Sequence, residues 1–361
     1  MKKRVLIANN HLKNQSGSEI HCLELAEFFI KLGFDVDVAA FKLGKPIINR
    51  FQNIGINLIN LKEISSDIRY DIVWSHHKPV FYYLHFQLEI KSKYFIHQML
   101  SPFMAIEYFP LFCDSIIDKR LLFFANSYET QVLASKQSGK TPVNILHNSI
   151  PDNYFEEHTE TSVKTKISKI CVISNHPPIE LRVAMKLFKQ DGIKTVFYGK
   201  KDVVEGITPS LLSGFDLVIT IGKTVQYCFA CSVPVYNYDH HGGGYISLSQ
   251  LEKLEKFNFS GRYPGSLKSP KLIYKEIIDG YSKAVKDLPY LYNEASKRYR
   301  LDRQLLPIFK EFDFNSESKV LFNIDSVNEM KMELHYYLPK TKLGGLKFFL
   351  KRSKTFIKSF L

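Results

Sequence analysis

The chain is short of several things that would narrow its class at once. It has 361 residues but only one tryptophan and five cysteines. An odd number of cysteines without framework spacing argues against a disulfide-stapled fold and for a reducing compartment. The pair Cys228 and Cys231 has no second pair near it, so core cysteines are expected there rather than a metal site. No apolar run reaches the length of a membrane span, and Lys2-Lys3-Arg4 precedes only a short run, Val5 to Ala8, unlike a secretory signal. A dinucleotide GxGxxG is missing from the first βαβ unit. The string Ala134 to Thr141 is one residue short of a phosphate-binding P-loop and stands between a helix and a strand, the reverse of the order required. Pro142 also bars a helix from continuing there. Acids are scarce: 36 Asp and Glu stand against 49 Lys and Arg, giving a net charge of +13. That balance favours anionic partners such as nucleotide phosphates, nucleic acid or an acidic membrane surface. No nucleic-acid reader motif accompanies it.

What is present is an alternation of buried strands and helices. Val5 to Ala8 is a first strand, Asn9 to Ser16 a polar loop, and Gly17-Ser18-Glu19 opens a helix that Ser16 or Ser18 caps. Gly33 ends this helix before a strand at 36–40, the start of a right-handed βαβ unit. Further strands are expected at 57–61, 71–74, 94–96, 122–125 and 143–146, with a helix from Asn126 and Ser127 to Lys136. A polar linker follows at 156–168. The second half begins with a strand at 170–173, then Ser174-Asn175-His176 and a helix from Ile179 to Gln190, then a strand at 195–198 ending in Gly199-Lys200. Two late helices, 271–286 and 291–312, are expected, and a helix at 324–337 crossing back.

The chain is organised around Asp216 to Tyr245. Leu217 to Ile221 reads as a buried parallel strand. Gly222-Lys223-Thr224 turns into a short helix, and Val233 to Tyr236 starts the next strand, where Pro234 is tolerated. Asp239-His240-His241-Gly242-Gly243-Gly244 is the loop beyond. Both loops therefore fall at the carboxyl ends of strands, where open α/β sheets bind ligands. A glycine turn with a lysine at a helix start offers N–H groups and positive charge to an anion. The triple glycine allows close backbone approach to a ligand. Two histidines and an aspartate supply donors, acceptors and a proton store. Histidines also end the strands at Trp74 (His76, His77) and Ile96 (His97).

Ala230-Cys231-Ser232-Val233-Pro234-Val235, with serine in place of a glycine, resembles the donor-binding half of GT-B glycosyltransferases near the family 4 group. Gly-Lys-Thr-Val-Gln-Tyr and the Tyr-Asp-x-x-Gly-Gly-x-Gly-Tyr string resemble a divergent bacterial branch that builds surface polysaccharides. The family's acidic-x7-acidic pair would fall on Ile219 and Tyr227, neither of them acidic, and Gln226 is the nearest polar substitute at the ribose. The resemblance implies an α/β fold of two Rossmann-like domains facing across a cleft: 1–155 for the acceptor, the linker, 169–315 for the donor, and 316–361 as a return helix and tail. It implies transfer of a sugar from a nucleotide-sugar to a saccharide or lipid-linked saccharide, with no cofactor and no bound metal. Ser174, Asn175 and His176 would lie near phosphates and Lys200 near base or phosphate. Gly222, Lys223 and Thr224 would bind diphosphate, Gln226 the ribose beside Tyr227, and Gly242 to Gly244 the sugar and phosphate, with Asp239 and His240 adjacent. In the first domain Gly17 marks the glycine loop, and His97 would stand near the transferred sugar as the catalytic candidate. Two rival readings remain: a non-catalytic nucleotide- or saccharide-binding module, and a basic nucleic-acid-binding protein.

From Leu343 a helix at about 100° per residue gathers Leu346, Phe349, Leu350, Phe356, Ile357 and Phe360 on one arc, with Lys347, Lys351, Lys354 and Lys358 beside it. That is the pattern of an interfacial helix on an anionic membrane, and it places the protein at the inner face of the cell membrane.

Overall fold

The computed structural model describes residues 2–110, 120–139, 141–156, 166–199 and 206–315. The return helix expected at 324–337, the basic tail, most of the linker and Lys200 lie outside the described residues. The chain divides into two compact units. The first is Met1–Ala125 and Thr130–Asn144, rejoined by the chain from Asp313; the second is Asn126–Glu129 and Ile145–Phe312.

The first unit carries β1 (Arg4–Leu12), α1 (Gly17–Lys31), β2 (Asp35–Leu43), α2 (Ile47–Asn53), β3 (Ile59–Asn60), β4 (Arg69–His76), α3 (Lys78–Tyr82), β5 (Lys91–Met99), β6 (Leu121–Ala125), α4 (Tyr128–Gln137) and β7 (Val143–Ile145). Their sheet runs β3-β2-β1-β4-β5-β6-β7, with parallel pairing from β3 to β6. β1 and β4 are buried on both faces, as parallel strands between helix layers must be. Helix α1 starts where Glu19 folds the loop before it: its carboxylate accepts from the backbone N–H groups of Lys13, Asn14 and Ser16 and from the Ser16 hydroxyl. Burial opposes that charge, but the hydrogen bonds outweigh it and hold the carboxyl below its ordinary value. The chain returns to this unit at Phe314, whose ring meets Phe34 and Tyr94 edge-on, with the Lys3 ammonium 4.1 Å from its centroid.

The second unit carries α5 (Asn153–Glu156), β8 (Lys169–Ile173), α6 (Ile179–Gln190), β9 (Lys194–Tyr198), α7 (Pro209–Ser213), β10 (Leu217–Thr220), α8 (Lys223–Ala230), β11 (Val235–Asn237), β12 (Gly244–Tyr245), α9 (Leu248–Lys256), α10 (Pro270–Arg298) and α11 (Leu301–Lys310). The sheet order is β12-β11-β10-β8-β9, parallel except for the short β12.

Three boundaries differ from expectation. Residues 145–155 belong to the second unit, because Ile150, Tyr154 and Phe155 are buried in its core with Tyr227 and Phe229; the first unit's leading stretch runs to 144 rather than 155, and the chain rejoins it at Asp313. The two late helices divide at Arg300 instead of near Pro289. Pro289 removes one helical N–H, but Ile273, Ile277, Tyr281, Ala284, Leu291 and Ala295 keep α10 buried along both halves. The break comes where Tyr299 O accepts from Ile150 N–H and Leu301 N–H donates to Ile150 O. The third strand shrinks to Ile59–Asn60 because the chain turns into a 3-10 segment, capped by the Asn60 side chain on Lys62 N–H.

Candidate functional site

In the second unit β9 lies on one side of β8, and β10 and β11 lie on the other. The sheet order reverses between β8 and β10, and a ligand crevice is expected at the carboxyl ends there. The structure brings three of the sequence-derived candidates together at that edge. The Ser174 hydroxyl donates to Asp239 Oδ2 at 3.2 Å and accepts from His176 N–H at 3.1 Å. Asp239 Oδ1 is buried and has no hydrogen-bond partner. Burial raises the Asp239 carboxyl above its ordinary value, against the pull of His240, Ser174, His176 and His241. His240, His176 and Asn175 are exposed. Gly199 is required by this packing: a Cβ there would stand 2.0 Å from Ser174 O.

Next along the edge, Gly222 (φ 66°) turns β10 into α8 with Lys223 and Thr224 as the first helical residues. First-turn N–H groups have no acceptor inside a helix, and the dipole adds positive potential. Lys223 Nζ lies 5.6 Å from the Tyr227 ring centroid. A third segment, not assigned a role from the sequence, fixes this turn. Asn258 and Phe259 both have φ near +50° (52° and 51°), and Phe259 O accepts from Gly222 N–H at 2.9 Å and from Asn237 Nδ2 at 2.7 Å.

Six of the candidate residues are buried or packed against the protein's own chain. Gln226 is 1% exposed and Tyr227 4%, and Tyr227 stacks on Tyr154 with centroids 4.3 Å apart. Neither side chain reaches a ribose in this structure; both belong to the face of α8 that packs into the core, although Gln226 Oε1 is left without a partner. The close approach that the triple glycine permits is to the protein's own chain. A Cβ on Gly242 would stand 2.1 Å from Asn237 O, one on Gly243 3.1 Å from Pro264, and one on Gly244 3.1 Å from both Lys268 Nζ and Glu276 Oε2. His97 is fully buried, under Phe81 and Phe123, with Nδ1 2.8 Å from the Ser75 hydroxyl. Burial drives its ring down to about 3, so it is a neutral core histidine with no surface for a substrate.

The first unit has its own order reversal, between β1 and β4. Gly17 is exposed at the start of α1, with nothing within 4 Å of a Cβ placed there. The carboxyl ends of the strands there hold His77, one of the strand-end histidines, with Glu107 and His11, which the sequence did not single out. His77, held at φ 69°, lies with Nε2 3.0 Å from Glu107 Oε1, while its Nδ1 accepts from Asn10 N–H at 3.3 Å. The other Glu107 oxygen accepts from Leu100 N–H. His77 and Glu107 are buried and tie the ends of β1, β4 and β5 together. His11 stacks on His77 at 5.5 Å and is half-buried. Burial and the His77 ring lower its pKa, while Glu19 and Glu107 pull it back up. A histidine doublet after Trp74 was a visible signal for His77; nothing local marks Glu107.

Among the described residues Cys22, Cys171, Cys228 and Cys231 are buried and form no disulfide, and burial pushes the Cys228 thiol well up. Among the described residues no His, Cys, Asp and Glu cluster suits a metal ion.

No protein-family model matches the chain, and no curated protein does. In structure it is similar to a glycosyltransferase from Rickettsia africae ESF-5, with TM-score 0.55 and 14% identity over 88% of this chain and 100% of that one. It is also similar to an alpha-glucosyltransferase solved with UDP and a 13-mer DNA containing a HMU base, with TM-score 0.52 and 11% identity over 86% of this chain and 99% of that one. The likeness is one of fold: two Rossmann-like α/β units of the GT-B kind.

Proposed function

We propose that the chain is a glycosyltransferase that moves a sugar from a nucleotide-sugar to a saccharide acceptor. The observation that carries this reading is the edge of the second unit, where the first turn of α8 with Lys223 neighbours the Ser174–Asp239–His176 cluster. The diphosphate would lie on the α8 turn, and the exposed His176 and His240 would approach it. Positive groups there stabilise the departing nucleoside diphosphate, the charge that grows in the transition state. In the first unit His11 takes the place expected for His97. Its Nε2 has no partner among the described residues, and it is the histidine nearest the β1–β4 reversal that is not fully buried. A histidine with a free ring nitrogen is the kind of group that takes up an acceptor hydroxyl's proton in such a transfer.

The acceptor is proposed to be lipid-linked, with the protein held at the inner membrane face by the basic amphipathic tail, and the transfer to proceed without a bound metal. Deleting residues 340–361 should release the protein from anionic vesicles and leave nucleotide binding intact; equal binding by the truncated form would remove the tail from this role. A binding module without turnover is favoured by one observation, the burial of Ile219 and Tyr227 where the family's acids would stand. Titration with UDP-, GDP- and dTDP-sugars, followed by assay for donor hydrolysis and transfer, separates the two. Binding with turnover supports the transferase, binding alone supports the module, and binding of none refutes both.

A further inference from the structure

A second concave surface of the second unit lies along α10. It is a cavity of about 450 Å³ lined by Tyr236, Tyr245, Leu272, Lys275, Glu276, Asp279 and Gly280, within the size range of small-molecule sites. Leu272, Lys275, Glu276 and Asp279 follow the i, i+3, i+4, i+7 spacing of one helical stripe. A stripe that packed into a core would be apolar; this one sets charged groups beside two tyrosines.

The groups beneath are already committed. Tyr236 hydroxyl donates to Glu276 Oε2 at 2.6 Å, and buried Lys268 donates to the same oxygen at 2.5 Å. Tyr245 hydroxyl donates to Ile277 O at 3.0 Å. The two rings stand at 88° with centroids 5.4 Å apart. With its hydroxyl proton committed to Ile277 O, Tyr245 offers a ligand chiefly its ring. Gly280 lets that ring lie against the helix, because a Cβ there would be 2.7 Å from it. Glu276 Oε1, Asp279 and Lys275 have no partner among the described residues.

An aromatic platform with hydroxyl acceptors and one ammonium at its rim matches the C–H face and hydroxyl edge of a sugar ring. The charges exclude the donor itself. Lys268 already neutralises Glu276, and Asp279 offsets Lys275, so no net positive charge is left for a phosphate. We propose that this groove is a second saccharide site, separate from the nucleotide edge, which holds an uncharged oligosaccharide without reacting with it. The proposal does not depend on the donor reading.

The test is calorimetric titration of the full chain with maltose, lactose, sucrose and chitobiose at millimolar concentration, and separately with UDP. At least one disaccharide should bind saturably. Asp279→Ala and Lys275→Ala, both at exposed positions, should each weaken that binding at least about tenfold, the scale of one lost hydrogen bond to a charged group. UDP affinity should not move. Gly280→Ala should weaken it as well by displacing the Tyr245 ring. Its thermal melt is compared with that of Asp279→Ala, which tests the same groove without steric strain. No binding of any disaccharide overturns the proposal. So does binding that survives Asp279→Ala and Lys275→Ala, or binding lost in Lys223→Ala instead. If UDP never binds but a disaccharide does and responds to Asp279→Ala, the groove stands and the donor reading fails.

Discussion

His97 makes the first unit sensitive to acid, and the size of the effect follows from its surroundings. The ring lies between Phe81 and Phe123 with no exposed atom, and burial takes it from 6.5 down to about 3. The folded value is depressed, so this group's contribution is fully present above 6.5 and is lost as pH falls from 6.5 towards 3. Unfolding then binds a proton that the folded ring refuses, and stability drops by about 1.4 kcal/mol for each pH unit in that window. At about pH 5 the loss from His97 alone is about 2 kcal/mol, a sizeable share of the 5–15 kcal/mol typical of a domain. His76 and His85, also buried and held well below their ordinary values by that burial, act in the same direction. Urea unfolding of the wild type at intervals from about pH 8 to about pH 5 should show stability falling below pH 6.5 with a slope of at least one proton. His97→Gln should have a shallower slope by about one proton in the same window, whatever its stability at neutral pH. Equal slopes in the two proteins would refute the burial argument.

Lys223→Ala should weaken nucleotide binding by about 1–3 kcal/mol, the scale of a charge-assisted hydrogen bond; unchanged calorimetric affinity in a folded variant would remove Lys223 from the donor site. Gly242→Ala should cost about 3 kcal/mol in chemical unfolding, because its Cβ would fall 2.1 Å from Asn237 O; a loss below about 1 kcal/mol would show that the loop relaxes freely. Tyr227→Glu restores an acid at the position the family resemblance calls for, yet should destabilise the second unit instead of improving turnover. It removes the stack on Tyr154 and buries a charge; a thermal melt at least as high as wild type, with better donor binding, would contradict this.

Much of the architecture was legible because it rests on local pattern. Val5 to Ala8, Trp74 with its neighbours, Ile170 to Ile173 and Leu217 to Thr220 are apolar runs bounded by polar or glycine turns, and each is a central parallel strand. The Gly222 turn and Ser174 to His176 were legible for the same reason: they end such strands. His97 was misplaced because strand position shows which edge a residue approaches but not what lies over it. The ring that covers it, Phe81, comes from a separate aromatic segment whose packing has no signature near His97. Glu107 meets His77 thirty residues away in sequence, beyond any periodic signal. The triple glycine carried a true message, close approach, but not the partner: Asn237 O and the Lys268–Glu276 pair are known only once the sheet is built.

The Phe259 carbonyl serves two clients at once, the Gly222 amide and the Asn237 side chain. The turn before α8 and the end of β11 therefore share one anchor point. Neither should fluctuate open alone: an excursion that releases Gly222 N–H also frees the acceptor that Asn237 uses. In hydrogen-exchange experiments the amides of this edge would then behave as one cooperative opening unit rather than as separate loops. A ligand seated on the α8 turn would slow exchange around Asn237 as well, without touching it.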